Sequence, residues 1–285
     1  MQIPVGRFDG SWQYKLSSEL DTDFTLDEIT VVTFNVWFDR FNRRLRHDVL
    51  FEEVHQCDAD IIVFQEMTQA SLDQLLELQW VQETYCVSDI GANTFESYGV
   101  VLLSRLPMTQ LSLIELPSLM DRKLVLAEFE INGQKLLVGG VHLERLSQSD
   151  AARREQVELI GSLVADVDHS IIMGDCNLCS SWPENEILDS RFSDAWPIIH
   201  PSEPGFTEDT SLNTMKFETR RFPSVRFDRV LFRSLAATSH WRPDSIELLG
   251  TTAIQTRYPS IFPSDHFGLC AKFVWEALAT DEFGE

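Results

Sequence analysis

Residues 171–177 read IIMGDCN: an apolar run that ends on an acid and an amide two positions apart. In an extended strand, residues i and i+2 point to one side, so Asp175 and Asn177 can face a common space. An acid beside an amide can hold and orient a water. Gly, Asp and Asn are also favoured turn residues, and by itself the pattern reads more readily as a turn. The same arrangement recurs, however. Asn35 ends the run VVTFN, Glu66 ends IIVFQE, His142 follows LLVGGV, and Asp265 and His266 open the run after PS at 263–264. Each has a bland local reading: Asn35 as a turn cap, Glu66 as a helix start, His142 as a satisfied, partly buried histidine. Five polar strand ends in one chain point instead to a single polar site, because strand termini along one sheet edge converge in space.

The elements that must carry these residues are mostly short β-like runs, rich in β-branched and aromatic residues and bounded by polar or turn residues. Strands are expected at 28–36, 60–66, 98–104, 124–131, 135–143, 170–176, 227–233, 245–250 and 266–275. Asn132-Gly133 is a two-residue hairpin signal between two of them. Helical spacing is clearest at 42–56, 68–79 and 149–166, the last with Ser149 as N-cap and Asp150 in the first turn. The stretch 177–225, rich in Pro, Ser, Trp and acids, reads as long surface loops with little regular structure. The fold class is α/β with many adjacent antiparallel strands. A single catalytic domain is expected over 28–278, with an N-terminal extension at 1–27 and an acidic tail at 279–285.

The 285 residues are 44% hydrophobic, with 19 Phe and 7 Trp, which supports a sizeable core and excludes a disordered chain. No window approaches 18 consecutive apolar residues, so no membrane span is expected, and the N-terminus does not read as a signal peptide. Five cysteines without a framework fit a reduced intracellular setting, cytoplasmic or nuclear. Cys176 and Cys179 form a C-x-x-C, but no second pair follows at zinc spacing, and Cys176 sits as a spacer between Asp175 and Asn177. The net charge of −22 disfavours passive coating of nucleic acid. Two basic runs, 40–47 and 216–229, interrupt the acidic background.

Taken in order, Asn35, Gln65-Glu66, His142, the Gly-Asp-x-Asn of 174–177, Asp228 and the Ser-Asp-His of 264–266 resemble the motifs of the endonuclease/exonuclease/phosphatase superfamily, across about 28–275. The resemblance implies a four-layer sandwich: two mixed, mostly antiparallel β-sheets packed face to face, with helices outside. Flanking residues are most similar to the 5′-tyrosyl-DNA phosphodiesterase group: VHLER at 141–145, GDCNL at 174–178, DAW at 194–196, EDTSLN at 208–213, VRFDRVLFRS at 225–234, SIELLG at 245–250 and FPSDHFGL at 262–269. Three positions depart from that group's usual pattern. Cys179 stands where Arg is usual, Arg145 where Ser is usual, and Glu208 where a Trp commonly precedes Asp-Thr. All three belong to substrate handling more than to phosphorus chemistry.

The resemblance implies a Mg²⁺-dependent phosphodiester hydrolase, with Mn²⁺ as a possible substitute, acting on nucleic acid with a modified 5′ end. Glu66 would be the main metal ligand, supported by Asn35 and Asp265. Asp175 would deprotonate the attacking water, held by Asn177. His266, kept charged and oriented by Asp228, and His142 would stabilise the phosphoryl oxygens. Arg40, Arg43, Arg145, Arg226 and Phe206 are candidates for substrate binding, with Arg220, Arg221 and Arg229 in the same basic run as Arg226. A superfamily nuclease, an inositol phosphate or phospholipid phosphoesterase, a non-catalytic binding scaffold and a dithiol redox protein are the alternatives.

Overall fold

The structure is a computed structural model that describes residues 1–16, 24–145, 150–179, 182, 185–215, 224–235, 239–258 and 260–277. Ser149, Arg220, Arg221 and the acidic tail lie outside the described residues. In chain order the elements are β1 (Val5–Phe8), β2 (Trp12–Lys15), β3 (Glu28–Asn35), α1 (Arg43–Gln56), β4 (Ile61–Met67), α2 (Gln69–Leu76), α3 (Gln79–Thr84), β5 (Cys86–Val87), β6 (Gly99–Ser104), β7 (Gln110–Glu115), β8 (Lys123–Ile131), β9 (Gln134–His142), α4 (Asp150–Leu163), β10 (His169–Asp175), α5 (Asn185–Arg191), β11 (Ser193–Asp194), α6 (Ala195–Ile199), β12 (Glu208–Asp209), β13 (Ser224–Val225), β14 (Asp228–Ser234), β15 (Ser239–Leu249) and β16 (Gly268–Ala277).

Eight strands form one sheet in the order β15-β16-β3-β4-β6-β5-β1-β2, and six form a second in the order β11-β14-β10-β9-β8-β7. Both are mixed: β3–β4 and β9–β10 are parallel and the remaining pairs antiparallel. A small ribbon, β12–β13, stands apart.

Alternation along each strand explains how the layers stack. Ile29 and Val31 of β3, Ile61 and Val63 of β4, Val125 and Ala127 of β8, and Ile171 and Met173 of β10 meet in one core between the sheets. Their odd-even partners face outward. Val32, Phe34, Ile62 and Phe64 pack with Leu50, Phe51 and Val54 of α1 and Leu72 and Leu75 of α2. Leu124, Leu126 and Ile172 pack with Val157 and Ile160 of α4. Strands buried on both faces read as continuous apolar runs. The result is helix, sheet, sheet, helix, the four-layer sandwich expected. The β8–β9 turn is the one signalled by Asn132-Gly133, with φ of 57° and 70° and Ile131 opposite Gln134.

The structure adds elements that the pattern missed. Residues before Glu28 supply β1 and β2, the latter at the sheet edge. The region 177–225, read as loops, contains α5, α6 and three two-residue strands. Such pieces are too short to show a period of 2 or 3.6. The helix expected at 68–79 is two, α2 and α3, separated at Glu77 and Leu78. Among the described residues no helix is long and apolar enough to cross a membrane.

Candidate active site

The inward-facing positions of four strands run past the apolar core into polar residues at one end of the sandwich. Asn35 continues the series 29, 31, 33. His142 continues 136, 138, 140. Asp175 continues 171, 173, and Asp228 precedes 230, 232. Within the six-stranded sheet, Asp175 lies directly opposite both His142 and Asp228. The two sheets meet here, because Asn35 Nδ2 donates to Asp175 Oδ2 at 3.1 Å.

Asp175 is the centre of the cluster. Its Oδ1 accepts the Asn177 N–H at 2.9 Å, and its Oδ2 lies 3.4 Å from His142 Nε2 and 3.9 Å from His266 Nε2. Burial pushes its carboxyl up to about 6, against the pull of His266. Asn177 is not on the same strand face as Asp175. Its backbone turns left-handed, with φ of 50°, and its side-chain amide donates to the Leu143 carbonyl at 3.1 Å. A turn, rather than i, i+2 spacing, brings the acid and the amide together.

His266 Nδ1 is 2.8 Å from Asp228 Oδ2. Burial opposes charge on this ring, but Asp228 and then Asp175 carry it up to about 9, so the ring is an imidazolium at neutral pH. His142 is the reverse case. Burial, with Arg122 next, holds it well below the usual histidine value. Arg122 Nη1 lies 3.1 Å from His142 Nδ1. A guanidinium has only donors, so Nδ1 accepts and the proton sits on Nε2, the atom nearer Asp175. Arg122 lies over the Tyr98 ring, which stacks on Phe38 at 4.9 Å. Neither Arg122 nor Tyr98 was a candidate from sequence: Arg122 belongs to no motif, and Tyr98 opens the expected strand 98–104 without a neighbouring acid, amide or histidine.

Glu66 departs from strand alternation. Its neighbour Phe64 faces the helices, but at Glu66 the backbone turns to φ 59° and the β4–β6 register shifts. Its Oε2 accepts the Phe38 N–H at 3.0 Å. The Ser264 hydroxyl donates to the Asn35 carbonyl at 2.6 Å, tying the loop that carries Asp265 and His266 to the end of β3.

Glu208 was read as a departure in a substrate loop. The structure places its Oε1 2.9 Å from His266 Nε2. Asp175, Asp228 and His266, and likewise Glu208, Asp265 and His266, hold ligand atoms within 4.8 Å of one another. Glu66, Asp175, Glu208, Asp228 and Asp265 are each less than a tenth exposed. Asp228 Oδ1 is buried without a hydrogen-bond partner. This excess of buried carboxylate over the neighbouring cations fits a divalent ion, whose charge would offset it.

The basic residues divide. Arg40 is exposed, Arg43 half-buried, and Arg145 exposed beside His142. Arg46, in the same run, is fully buried. Its guanidinium donates to the carbonyls of Val36, Trp37, Asp39, Phe41 and Pro263 and stacks on Trp37. It stitches the loop after Asn35 to the loop before Ser264. Arg226, expected at the substrate, is instead buried and paired with Asp194, which also takes Arg229 at 2.6 Å. One carboxylate thus neutralises both arginines inside the fold. Phe206 is half-buried next to Glu208. Cys176 is buried in the outer core of the six-stranded sheet, where burial holds its thiol protonated. A cavity of about 800 Å³, bordered by α5 and β15, has none of these residues in its lining.

Two face-to-face sheets thus bring carboxylates, amides and histidines together at one end. The sequence profile of the Endonuclease/Exonuclease/phosphatase family matches residues 32–266, and the chain belongs to that family. It is 30% identical over 178 residues to human tyrosyl-DNA phosphodiesterase 2, an alignment covering 58% of this chain and 46% of the relative. The chain spans about half the length of the curated relatives it matches. Among solved structures it is similar to D. rerio TDP2 complexed with a single-strand DNA product (TM-score 0.74, 23% identity, 87% of this chain and 99% of that one). It is also similar to a family protein from Bacteroides thetaiotaomicron (TM-score 0.67, 16% identity, 87% and 97%).

Proposed function

We propose that this chain is a Mg²⁺-dependent phosphodiesterase that removes covalent adducts from nucleic-acid 5′ ends; relatives named tyrosyl-DNA phosphodiesterase 2 support the tyrosyl-DNA phosphodiesterase part of this reading. The observation that carries the reading is Asp175. It is a buried carboxylate bonded by Asn35 and Asn177 and faced by two histidines, His266 held toward its charged form and His142 toward its neutral form.

Glu66, Asn35 and Asp265 would hold the ion, since hard oxygen donors suit Mg²⁺. When bound, it would neutralise charge on the phosphate and on the leaving oxygen. The chain's own residues account for the remaining chemistry. Asp175 takes the proton of the attacking water. Its raised affinity for protons makes it a better base than an exposed aspartate. Asn177 fixes its orientation through the backbone N–H. The His266 imidazolium donates from Nε2 to the phosphoryl oxygen, with Asp228 holding the opposite nitrogen. The neutral His142, its Nδ1 satisfied by Arg122, offers its Nε2 proton to a second oxygen. Arg40, Arg43 and Arg145 supply positive charge outside the buried cluster, and Phe206 borders the leaving group. Action on nucleic-acid ends would suit a setting inside the cell, in nucleus or cytoplasm. The catalytic unit corresponds to residues 28–278.

Hydrolysis of a 5′-phosphotyrosyl oligonucleotide tests the reading, with plain DNA, RNA and an inositol phosphate alongside. Tyrosine release is expected with Mg²⁺. Glu66→Ala should abolish it and weaken Mg²⁺ binding in calorimetry while keeping the thermal transition. Turnover of another phosphoester alone would retain the site and reject the branch. Silence on all of them from folded protein with metal would leave a binding scaffold.

A further inference from the structure

Glu208 meets His266 at the nitrogen that the reaction needs. His266 Nδ1 is occupied by Asp228 at 2.8 Å, and Nε2 lies 2.9 Å from Glu208 Oε1. The imidazolium is therefore held between two carboxylates, one of them on the side where a phosphoryl oxygen would bind.

The backbone that carries Glu208 is anchored on both sides. β12 pairs with β13, with Glu208 opposite Val225. The preceding Thr207 accepts the Asp228 N–H on its hydroxyl at 3.1 Å and the Phe267 N–H on its carbonyl at 2.7 Å. Thr207 thus bridges the strand of Asp228 and the residue after His266. The Glu208 charge is built into the site.

A fixed negative charge at the phosphate position discriminates by the charge of the phosphate. A phosphodiester carries one negative charge. A terminal phosphomonoester carries close to two near neutral pH, because its second ionisation lies near 6. Hydrolysis of a diester forms the bond from water oxygen to phosphorus and breaks the bond to the leaving alcohol. The monoester left behind has gained charge where Glu208 stands. We infer that Glu208 is a charge selector: it admits singly charged phosphodiesters, disfavours doubly charged terminal phosphates, and so speeds release of the product. The inference rests on the phosphodiesterase reading above for its substrate class.

Equilibrium binding separates the two claims. Wild type, Glu208→Gln and Glu208→Asp would be titrated, with Mg²⁺, against a fluorescent oligonucleotide carrying a 5′-phosphate. The same oligonucleotide with a singly charged 5′-methylphosphonate would be run in parallel. Wild type should favour the methylphosphonate. Glu208→Gln should bind the phosphate end about tenfold more tightly with the methylphosphonate little changed, since removing one charge relieves the dianion most. Glu208→Asp should keep the wild-type preference, and the ¹⁵N signals of the His266 ring should shift only in the Gln variant. Equal changes for both probes, or wild type favouring the phosphate, would overturn the inference. Loss of Mg²⁺ binding in Glu208→Gln would overturn it too, by making Glu208 a metal ligand. Because these readouts need no turnover, a chain that hydrolyses nothing yet shows the shifted preference would sink the enzymatic reading and leave the charge selector standing.

Discussion

The two site histidines are buried to a similar degree, yet their partners drive them apart. His266 meets carboxylates and is held charged; His142 meets a guanidinium and is held neutral. Replacing Asp228 by Asn should leave the ring in place but remove the main source of its charge. Turnover is expected to fall by about 10²-fold, the range for losing one preorganised donor, with the His266 ring titrating nearer neutrality by NMR. An unchanged kcat would mean that Asp228 serves only the fold. His47, on α1, is a buried histidine outside the site. It lies 3.2 Å from the Val36 carbonyl, and burial, with Arg46 next, lowers it to about 3. Between pH 6.5 and 3 the unfolded chain takes up a proton that the folded chain refuses. Stability from this residue is therefore complete above about 6.5 and declines as pH falls, by about 1.4 kcal/mol per unit. Denaturant titrations of wild type and His47→Gln should show the wild-type advantage shrinking by roughly 2 kcal/mol from pH 6.5 to 5.

At the scale of elements, the site depends on backbone departures from regular strand. Gly174 sits at φ 143° in β10, and a Cβ there would lie 2.0 Å from the Val141 carbonyl oxygen of β9. The two parallel strands that align His142 with Asp175 can approach only because this position has no side chain. Gly174→Ala is expected to cost roughly 3 kcal/mol or more in chemical denaturation; a cost below about 1 kcal/mol would show that the strands separate easily. Glu66 and Asn177 use left-handed backbone without being glycine. Such strain persists where surroundings over-determine it, and both residues here are fixed by hydrogen bonds across loops. Arg46 is the corresponding device in the loops, replacing a regular ladder with a guanidinium that satisfies five carbonyls.

Over the whole molecule, −22 opposes the approach of any polyanion. Local positive charge must come from few residues, because Arg46, Arg226 and Arg229 are consumed by the fold. Among the described candidates for substrate binding, Arg40, Arg43 and Arg145 remain. Three phosphate contacts on a single strand correspond to a salt dependence of slope about −2 in log affinity against log salt. Anisotropy titrations of an oligonucleotide at several NaCl concentrations should give a slope no steeper than that. A markedly steeper slope would require phosphate contacts from other cations.

Asn35, Glu66, His142, Asp175 and His266 were legible from sequence because a polar residue at the end of an apolar run is a local signal, although Glu66 reaches its place by a left-handed turn and His266 lies in the loop before β16. An apolar series that ends in a polar residue marks where a buried layer meets a cleft, and neighbouring residues along the chain carry that signal. The fold class follows from the same runs. The meeting of Asn35 with Asp175 across two sheets required the tertiary structure, since nothing in the spacing of two segments 140 residues apart specifies their packing. The arginines illustrate the point in reverse. Arg40 and Arg46 look alike in sequence, and only the loops around them decide that one faces water and the other is buried among carbonyls. Glu208 was visible only as an unusual residue in a motif. Its place at His266 Nε2 depends on a two-residue strand too short to show any period, and on a loop whose course is set by long-range hydrogen bonds.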